Sequence, residues 1–352
     1  MKMLIVLLMV LPLTAYNQQL ENQINGLVAK YYQNKEFSGV VLVAKKGKVL
    51  FEKAWGYADL EKGVLNELDT RFLIGSTTKS FTAVSIMQLV DQGKLNLEVP
   101  VGQYLPSLKK ELGEKLTLHH LLKMSSGLPS HLNRIAKMEY SDLTEDELVK
   151  IINRCNLDFD PGTSYQYSNL NYQLAAAIVA KVSGQDFKTV LTSQTLLPLK
   201  MTASGLERTE DVILKRASGY EVKDGQLSRA TRNYMGYALG SGDMYATARD
   251  LLKWDQALYG NSYLSEKSKQ LLFDGDPNKY GGYGYGFKVK PYDRPGFLKG
   301  KLVRHGGSMQ GFVCNVHRYL DDQLTIIVLG NIRPYPIMEI TIAIEKIVLS
   351  GE

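Results

Sequence analysis

Two pairs of apolar segments, one near each end of the chain, predict β-hairpins. The first pair is Gly39–Ala44 and Lys48–Ala54, joined by a turn that contains Gly47. The second pair is Phe312–Tyr319 and Gln323–Leu329, joined by two aspartates. Apolar runs of this length, bounded by turn residues, are typical of β-strands.

The segments that flank these hairpins have their apolar residues at helical spacing. Near the N-terminus these residues are Leu20, Ile24, Leu27, Val28, Tyr31 and Tyr32. They predict an amphipathic helix, and Ile337–Leu349 predicts a second helix that closes the chain. The middle of the chain, about residues 80–250, is predicted to be mostly helical, with helices at Leu116–Met124 and Tyr172–Val182.

The order of these elements predicts an α+β fold. Strands from both ends of the chain form one antiparallel sheet flanked by helices, and a mostly helical subdomain is inserted between them. We expect a single catalytic domain at residues 16–352, with its α/β part at about 18–75 and 245–352 and its helical part at about 76–244. A cleft between the two parts is the natural place for a functional site.

Three aromatic residues near the C-terminal hairpin, Tyr283, Tyr285 and Phe287, alternate with glycines. Alternation of this kind predicts a strand with one aromatic face. We favour a core role for this face over a binding role.

The composition describes an ordinary globular protein with a mild positive charge. The chain has 352 residues, of which 44% are hydrophobic and 22% are charged, and its formal net charge is +6. The basic residues are spread along the chain rather than clustered, which argues against nucleic-acid binding. The expected partner is a small-molecule or peptide substrate, and the sequence leaves the oligomeric state open.

Residues 1–15 predict a secretory signal peptide. Lys2 supplies a positive charge before the apolar run Leu4–Leu13, and Ala15 is a small residue suited to cleavage. The run is too short to favour a stable membrane span. We therefore expect export to the periplasm or the exterior. Cys155 and Cys314 could pair in an oxidising compartment, but we favour two buried free thiols.

The most informative motif is S-x-x-K at Ser76–Lys79, which opens a segment that is apolar on almost every face. Such a helix is normally buried. Residues three apart share one helix face, so the hydroxyl of Ser76 and the amine of Lys79 can meet. A serine needs an adjacent base to act as a nucleophile. The helix dipole and burial both disfavour a charged Lys79, which favours its action as that base.

The same spacing also occurs at Ser107–Lys110, and a helix-capping role for Ser76 is the alternative interpretation. Two further motifs, Y-x-N at Tyr167–Asn169 and H-x-G at His305–Gly307, lie downstream, the latter predicted at a sheet edge. The sequence has no G-x-S-x-G nucleophile elbow, P-loop or dinucleotide fingerprint. Its histidines lack metal-ligand spacing, so we expect neither a metal nor a cofactor.

The order and spacing of the three motifs resemble those of the serine β-lactamase and penicillin-binding-protein superfamily, in its class C β-lactamase-like branch. Further stretches that are similar to this branch are Leu118–Leu128, Phe159–Thr163, Tyr167–Tyr172 and Gly240–Thr247. The resemblance covers nearly all of the chain after the signal segment. It implies a β-lactamase/transpeptidase-like fold and hydrolysis through an acyl-enzyme.

The resemblance also implies a role for each motif residue. Ser76 corresponds to the nucleophile, Lys79 to its base and Tyr167 to a proton relay, while Asn169 corresponds to an amide that orients substrate. The backbone amides of Ser76 and Ser308 would form the oxyanion hole, next to Gly307. A tyrosine relay requires nearby cations that lower its pKa, and Lys79 with a protonated His305 could supply them.

His305 stands where β-lactamases of this branch usually have lysine. Because histidine is neutral over part of the physiological pH range, it would be a weaker, pH-dependent anchor for a substrate carboxylate. A dedicated β-lactamase is therefore less expected than a hydrolase of D-amino-acid peptides or of esters. The alternative is a penicillin-binding sensor or a catalytically idle scaffold. A sensor would need a signal relay, and a scaffold would lack part of the catalytic set.

Overall fold

The chain folds as a mixed α+β protein, and the computed structural model describes residues 2–136, 142–231, 235–276, 278–294 and 298–350, with side chains from residue 18 to residue 349. The described helices are α1 (Lys2–Gln33), α2 (Thr78–Asp91), α3 (Lys110–Lys115), α4 (Leu118–Leu122), α5 (Glu145–Ile152), α6 (Asn169–Ser183), α7 (Phe187–Leu191), α8 (Ala248–Ala257), α9 (Glu266–Leu272) and α10 (Ile337–Ser350). The described strands are β1 (Gly39–Lys45), β2 (Lys48–Trp55), β3 (Tyr57–Asp59), β4 (Val64–Leu65), β5 (Phe72–Leu73), β6 (Gly205–Leu206), β7 (Tyr220–Lys223), β8 (Gln226–Arg229), β9 (Met244–Ala246), β10 (Lys288–Arg294), β11 (Leu298–Met309), β12 (Phe312–Tyr319), β13 (Leu324–Gly330) and β14 (Ile332–Arg333).

The main sheet is antiparallel and joins both ends of the chain, as predicted. Its strand order is β10-β11-β12-β13-β1-β2. Both predicted hairpins are present, as β1–β2 and β12–β13. The N-terminal and C-terminal halves of the sheet meet where β1 pairs with β13, from Gly39 opposite Gly330 to Lys45 opposite Leu324.

The two faces of this sheet bury different layers, because successive side chains of a strand point to opposite faces. On one face, Val41 and Val43 of β1 pack in a cluster with residues of α1 and α10, among them Ile24 and Ile344. On the other face, alternate β1 residues such as Leu42 join the larger core that contains the inserted helices. The predicted terminal helices therefore cover one face of the sheet.

The predicted signal segment, residues 1–15, falls in the first half of α1. The side chains of residues 1–17 lie outside the described residues. In the part of the chain that the structure describes, no helix combines the length and apolarity that a membrane span requires.

Helix α2 is buried on nearly every face, as its apolar sequence predicted. All of its residues from Thr78 to Met87 are buried, and the Phe81 ring stacks on Trp254 of α8 with centroids 4.1 Å apart. Gly93, just beyond the C-terminus of α2, has a left-handed backbone with φ 70°. The N-terminus of α2 is therefore held rigidly by core packing. Both cysteines, Cys155 and Cys314, are buried and free, as predicted.

The strand predicted at Tyr283–Phe287 is wrong, because this segment is an irregular loop that leads into β10. Gly286 has φ 76°, a left-handed conformation that ends an extended run. All three aromatic side chains are buried, at 0–3% exposure. The preference for core packing over an exposed binding face is confirmed.

A buried ion pair ties α8 to the sheet. Nε of Arg318 in β12 lies 2.5 Å from Oδ1 of Asp255, and the Thr325 hydroxyl donates to Oδ2 of Asp255 at 2.6 Å. Both charged side chains are at most 1% exposed. Removing one partner of such a pair leaves an uncompensated buried charge.

We predict that Asp255→Ala lowers the free energy of unfolding by about 3–5 kcal/mol. Urea denaturation at neutral pH measures this quantity. The matched control is Glu52→Gln, which breaks the more exposed ion pair with Arg249 and should cost about 1 kcal/mol or less. Equal effects of the two substitutions would contradict the structural role given to Asp255.

Candidate active site

Ser76 lies in a tight turn directly before α2. The turn, Gly75–Thr77, is a single 3₁₀ turn, and Gly75 adopts a left-handed backbone with φ 50°. A Cβ atom added at Gly75 would lie only 2.8 Å from the backbone nitrogen of Ser308. Glycine is therefore required before the serine, because it allows β11 to approach the turn closely.

Lys79 reaches Ser76 from the first turn of α2, as the S-x-x-K spacing predicted. Its Nζ atom lies 3.1 Å from Oγ of Ser76 and 2.6 Å from the carbonyl oxygen of Ser241. The Lys79 side chain is fully buried, and burial lowers its pKa well below the usual 10.5. A neutral amine in this place can accept the proton of the serine hydroxyl.

Asp243 opposes the lowering of the Lys79 pKa, and no motif in the sequence assigned it a role. Its carboxylate raises the pKa of Lys79, although burial of the amine has the larger, opposite influence. Asp243 accepts from the backbone N–H of Gly240 at 2.9 Å and lies 3.0 Å from the Arg208 guanidinium. Through its bond to Gly240, Asp243 also stabilises the turn that contains Ser241, whose carbonyl oxygen contacts Lys79. Gly240–Thr247 stood out only through the family resemblance.

Tyr167 lies beside both residues, at the end of the loop before α6. Its hydroxyl is hydrogen-bonded to Ser76, and Nζ of Lys79 lies 5.0 Å from its ring centroid. Burial raises the pKa of Tyr167 well above its usual value. The expectation that nearby cations would lower this pKa is therefore wrong. The phenol of Tyr167 therefore stays protonated. It can relay a proton only by donating its own proton while it accepts a second one.

Asn169 begins α6, two residues after Tyr167. Its Nδ2 atom lies 2.9 Å from Nδ1 of His131, a residue to which the sequence assigned no role. The Oδ1 atom of Asn169 is buried and lacks a hydrogen-bond partner among the described residues. The side chain thus has an acceptor that is free for a ligand or for a rearranged neighbour, and a role in orienting substrate stays a prediction.

Gly307 and Ser308 place β11 against the 3₁₀ turn that carries Ser76. The H-x-G motif lies inside β11, but the pairing of β11 with β10 ends at Arg304. Residues 305–309 therefore have a strand partner only on the β12 side, which agrees locally with the predicted sheet edge. A Cβ atom at Gly307 would lie 1.7 Å from the Ile74 carbonyl oxygen and 3.1 Å from the backbone nitrogen of Ser76.

This close approach places the Ser308 backbone next to the turn that carries Ser76. Backbone N–H groups from Ser76 and Ser308 are the donors that the family resemblance implies for an oxyanion hole. Such fixed donors stabilise the charge that develops on an attacked carbonyl oxygen. Their function at this position stays a prediction.

The charged state expected for His305 is wrong. The imidazole is 4% exposed, and burial, together with the nearby Lys79, lowers its pKa to about 3. Nδ1 lies 2.7 Å from the carbonyl oxygen of Gly306, and Nε2 lies 2.9 Å from the hydroxyl of Tyr283. A neutral imidazole with both nitrogens engaged cannot anchor a carboxylate by charge.

The described residues contain no group of three or more His, Cys, Asp or Glu side chains arranged to hold a metal ion. A hydroxyl, a neutral amine, a phenol and two backbone amides converge at the N-terminus of α2, which is the set that acyl transfer requires.

Comparison with known proteins agrees with this arrangement. A family model described as Beta-lactamase matches residues 24–344. The "Putative penicillin-binding protein PbpX" of Bacillus subtilis (strain 168) is 30% identical over 289 residues, which cover 82% of this chain and 71% of that protein. The "Teichoic acid D-alanine hydrolase" of Staphylococcus aureus (strain MRSA252) is 29% identical over 308 residues, covering 87% and 73% respectively.

A solved structure shows the same fold. The crystal structure of FmtA from Staphylococcus aureus matches with a TM-score of 0.79 and 27% sequence identity. The match covers 92% of this chain and 88% of that chain. The predicted β-lactamase/transpeptidase-like fold is confirmed.

The opposing effects on Lys79 generate a pH prediction. With Lys79 as the predicted base, the neutral amine is the active form, and kcat/KM should rise as pH increases through the pKa of Lys79. Asp243 raises that pKa, so Asp243→Asn should lower it and move the rising limb of the pH profile to lower pH. The profile is measured with a chromogenic ester, and Glu52→Gln serves as a control outside the site. An unchanged limb, or a limb shifted to higher pH in a folded Asp243→Asn protein, would contradict the electrostatic account.

Proposed function

This chain belongs to the β-lactamase family of serine hydrolases, and we propose that it cleaves D-amino-acid esters or peptides through an acyl-enzyme on Ser76. The observation that carries the proposal is the 3.1 Å contact between Oγ of Ser76 and the buried amine of Lys79. A hydrolase of this kind requires a nucleophile and a base within hydrogen-bond reach of each other. A catalytically idle scaffold has no need of a fully buried lysine at this contact.

In the proposed reaction, Lys79 takes the hydroxyl proton of Ser76 while Oγ attacks the acyl carbon. The backbone N–H groups of Ser76 and Ser308 donate to the resulting oxyanion. Tyr167, hydrogen-bonded to Ser76, donates its phenolic proton to the leaving alcohol or amine as the bond to the acyl carbon breaks, and it takes up the proton that Lys79 received. A water molecule then attacks the acyl-enzyme and gives its proton to the same set of groups, which releases the acid and restores Ser76.

The state of His305 bears on the substrate class. A neutral, internally bonded imidazole provides no charge for a terminal carboxylate, whereas β-lactams and D-alanyl-D-alanine peptides carry one. This favours esters without a terminal carboxylate, such as D-alanyl esters, over those compounds. The similarity to a protein named teichoic acid D-alanine hydrolase supports the same choice.

Labelling of Ser76 tests the reaction class. Intact-mass analysis should show one added phosphonyl group after treatment with a fluorophosphonate, located in the peptide that contains Ser76. Ser76→Ala should abolish both the label and the hydrolysis of p-nitrophenyl acetate. The matched control is Ser107→Ala, which removes the serine of the other S-x-x-K sequence and should change neither readout. We also expect penicillin to acylate Ser76 more slowly than the fluorophosphonate labels it.

If the fluorophosphonate leaves the wild-type protein unmodified, Ser76 is not an activated nucleophile and the scaffold alternative is favoured. If penicillin reacts as fast as the fluorophosphonate and is then turned over, the preference for esters without a terminal carboxylate is wrong.

We also propose that the protein is exported, which is supported by the sequence of residues 1–15. The combination of Lys2, an apolar run and Ala15 is what export machinery recognises. N-terminal sequencing of the protein recovered from a bacterial host, after fractionation, is the direct measurement. A chain that begins close to residue 16, outside the cytoplasm, is expected. A cytoplasmic chain that retains residues 1–15 would contradict the proposal.

A further inference from the structure

The loop at residues 280–287 fits tightly against the N-terminus of α2. A Cβ atom at Gly286 would lie 2.7 Å from the carbonyl oxygen of Lys79, and one at Gly284 would lie 2.2 Å from the carbonyl oxygen of Leu272. Glycines at these two positions therefore permit backbone contact that any side chain would block. The glycines that alternate with the aromatic residues, which predicted a strand, are explained by this close contact instead.

This fit places the fully buried Tyr283 between two residues of the candidate site. The ring of Tyr283 packs edge-on against Tyr167, with centroids 6.2 Å apart, and against His305, with centroids 5.9 Å apart. Its hydroxyl lies 2.9 Å from Nε2 of His305. Tyr283 is thus in direct contact with the predicted proton relay and with the H-x-G motif.

The direction of the hydrogen bonds around His305 follows from the chemistry of its partners. The Gly306 carbonyl can only accept, so Nδ1 of His305 carries the hydrogen. A neutral imidazole has one N–H, so Nε2 is an acceptor for the Tyr283 hydroxyl, which also has the Tyr172 hydroxyl as a partner. Burial raises the pKa of Tyr283 well above its usual value, which keeps that donor protonated. One tautomer of His305 satisfies both contacts.

The same contacts restrain the backbone that faces the nucleophile. His305 holds the Gly306 carbonyl through Nδ1, and the next two residues, Gly307 and Ser308, lie against the Ser76 turn. This segment has no partner on the β10 side. The hydrogen bonds of the His305 side chain therefore restrain this segment on the side where it has no neighbouring strand.

We propose that the Tyr283 hydroxyl, acting through His305, positions the 306–308 backbone that supplies the second donor of the oxyanion hole. Tyr283 is a positioning residue in this account, since it touches neither the nucleophile nor the carbonyl under attack. His305 correspondingly has a positioning role instead of a role as a charged anchor. The proposal rests on the acyl-enzyme reaction proposed for Ser76.

Tyr283→Phe tests the proposal, because it removes the hydroxyl and keeps the ring. We expect kcat for a p-nitrophenyl ester to fall between about tenfold and a thousandfold, the upper bound being the loss of a whole oxyanion donor. KM should stay within about twofold, because the oxyanion forms only in the transition state. The matched control is Tyr165→Phe, a tyrosine whose ring lies 6.3 Å from that of Tyr283 and whose hydroxyl is not a partner of His305. It should retain kcat.

A double-mutant cycle with His305→Ala separates positioning through His305 from a general structural effect. Residues that act through one another are non-additive, so adding Tyr283→Phe to His305→Ala should change kcat little. Nitrogen-15 NMR of the wild-type imidazole provides a second readout: His305 should be protonated on Nδ1 and unprotonated on Nε2 at neutral pH.

Additive losses in the cycle, a Tyr283→Phe protein with the kcat of Tyr165→Phe, or a hydrogen on Nε2 of His305 would each overturn the proposal. These outcomes differ from failure of the acyl-enzyme reaction itself. In that case the wild-type protein would neither take the fluorophosphonate label at Ser76 nor hydrolyse the ester.

Discussion

The candidate site depends on the burial of the Lys79 amine, which excludes water from it. The amine is fully buried, and its two hydrogen-bond partners, the Ser76 hydroxyl and the Ser241 carbonyl, are both uncharged. A charged ammonium is strongly disfavoured in such surroundings. The Asp243 carboxylate offsets part of this effect without cancelling it. The packing of α2 in the core thus determines the chemical state of the base.

The other groups of the candidate site lie near Lys79 because three backbone segments are in close contact around Ser76. Gly75, Gly286 and Gly307 each occupy a position where a Cβ atom would collide with the backbone of another segment. The turn before α2, the loop before β10 and the end of β11 therefore meet around the serine with little space between them. Because the three segments come from distant parts of the chain, the geometry at Ser76 requires the complete fold.

The sequence predicted those parts of the structure that follow from local pattern and motif spacing. Both hairpins and the buried helix α2 are present, because the spacing of apolar residues and the positions of turn residues determine them. The contact between Ser76 and Lys79 follows from their spacing of three residues across the 3₁₀ turn and the first turn of α2. The charge of His305 could not be predicted, because it depends on burial and on Tyr283, which is 22 residues away in the chain. The strand predicted at Tyr283–Phe287 is wrong for a related reason: Gly284 and Gly286 permit close backbone contact with α9 and α2, which the local pattern does not reveal.

The pKa of the Lys79 amine is the quantity that tests the central claim most directly. Carbon-13 NMR of a protein labelled at the lysine ε-carbons can follow each amine through a pH titration, and Lys79→Arg identifies the signal of Lys79. The account predicts one lysine that loses its proton well below the usual pKa of about 10.4, and whose signal is absent from Lys79→Arg. A Lys79 signal that titrates together with the exposed lysines would contradict the claim that burial makes this amine the base for Ser76.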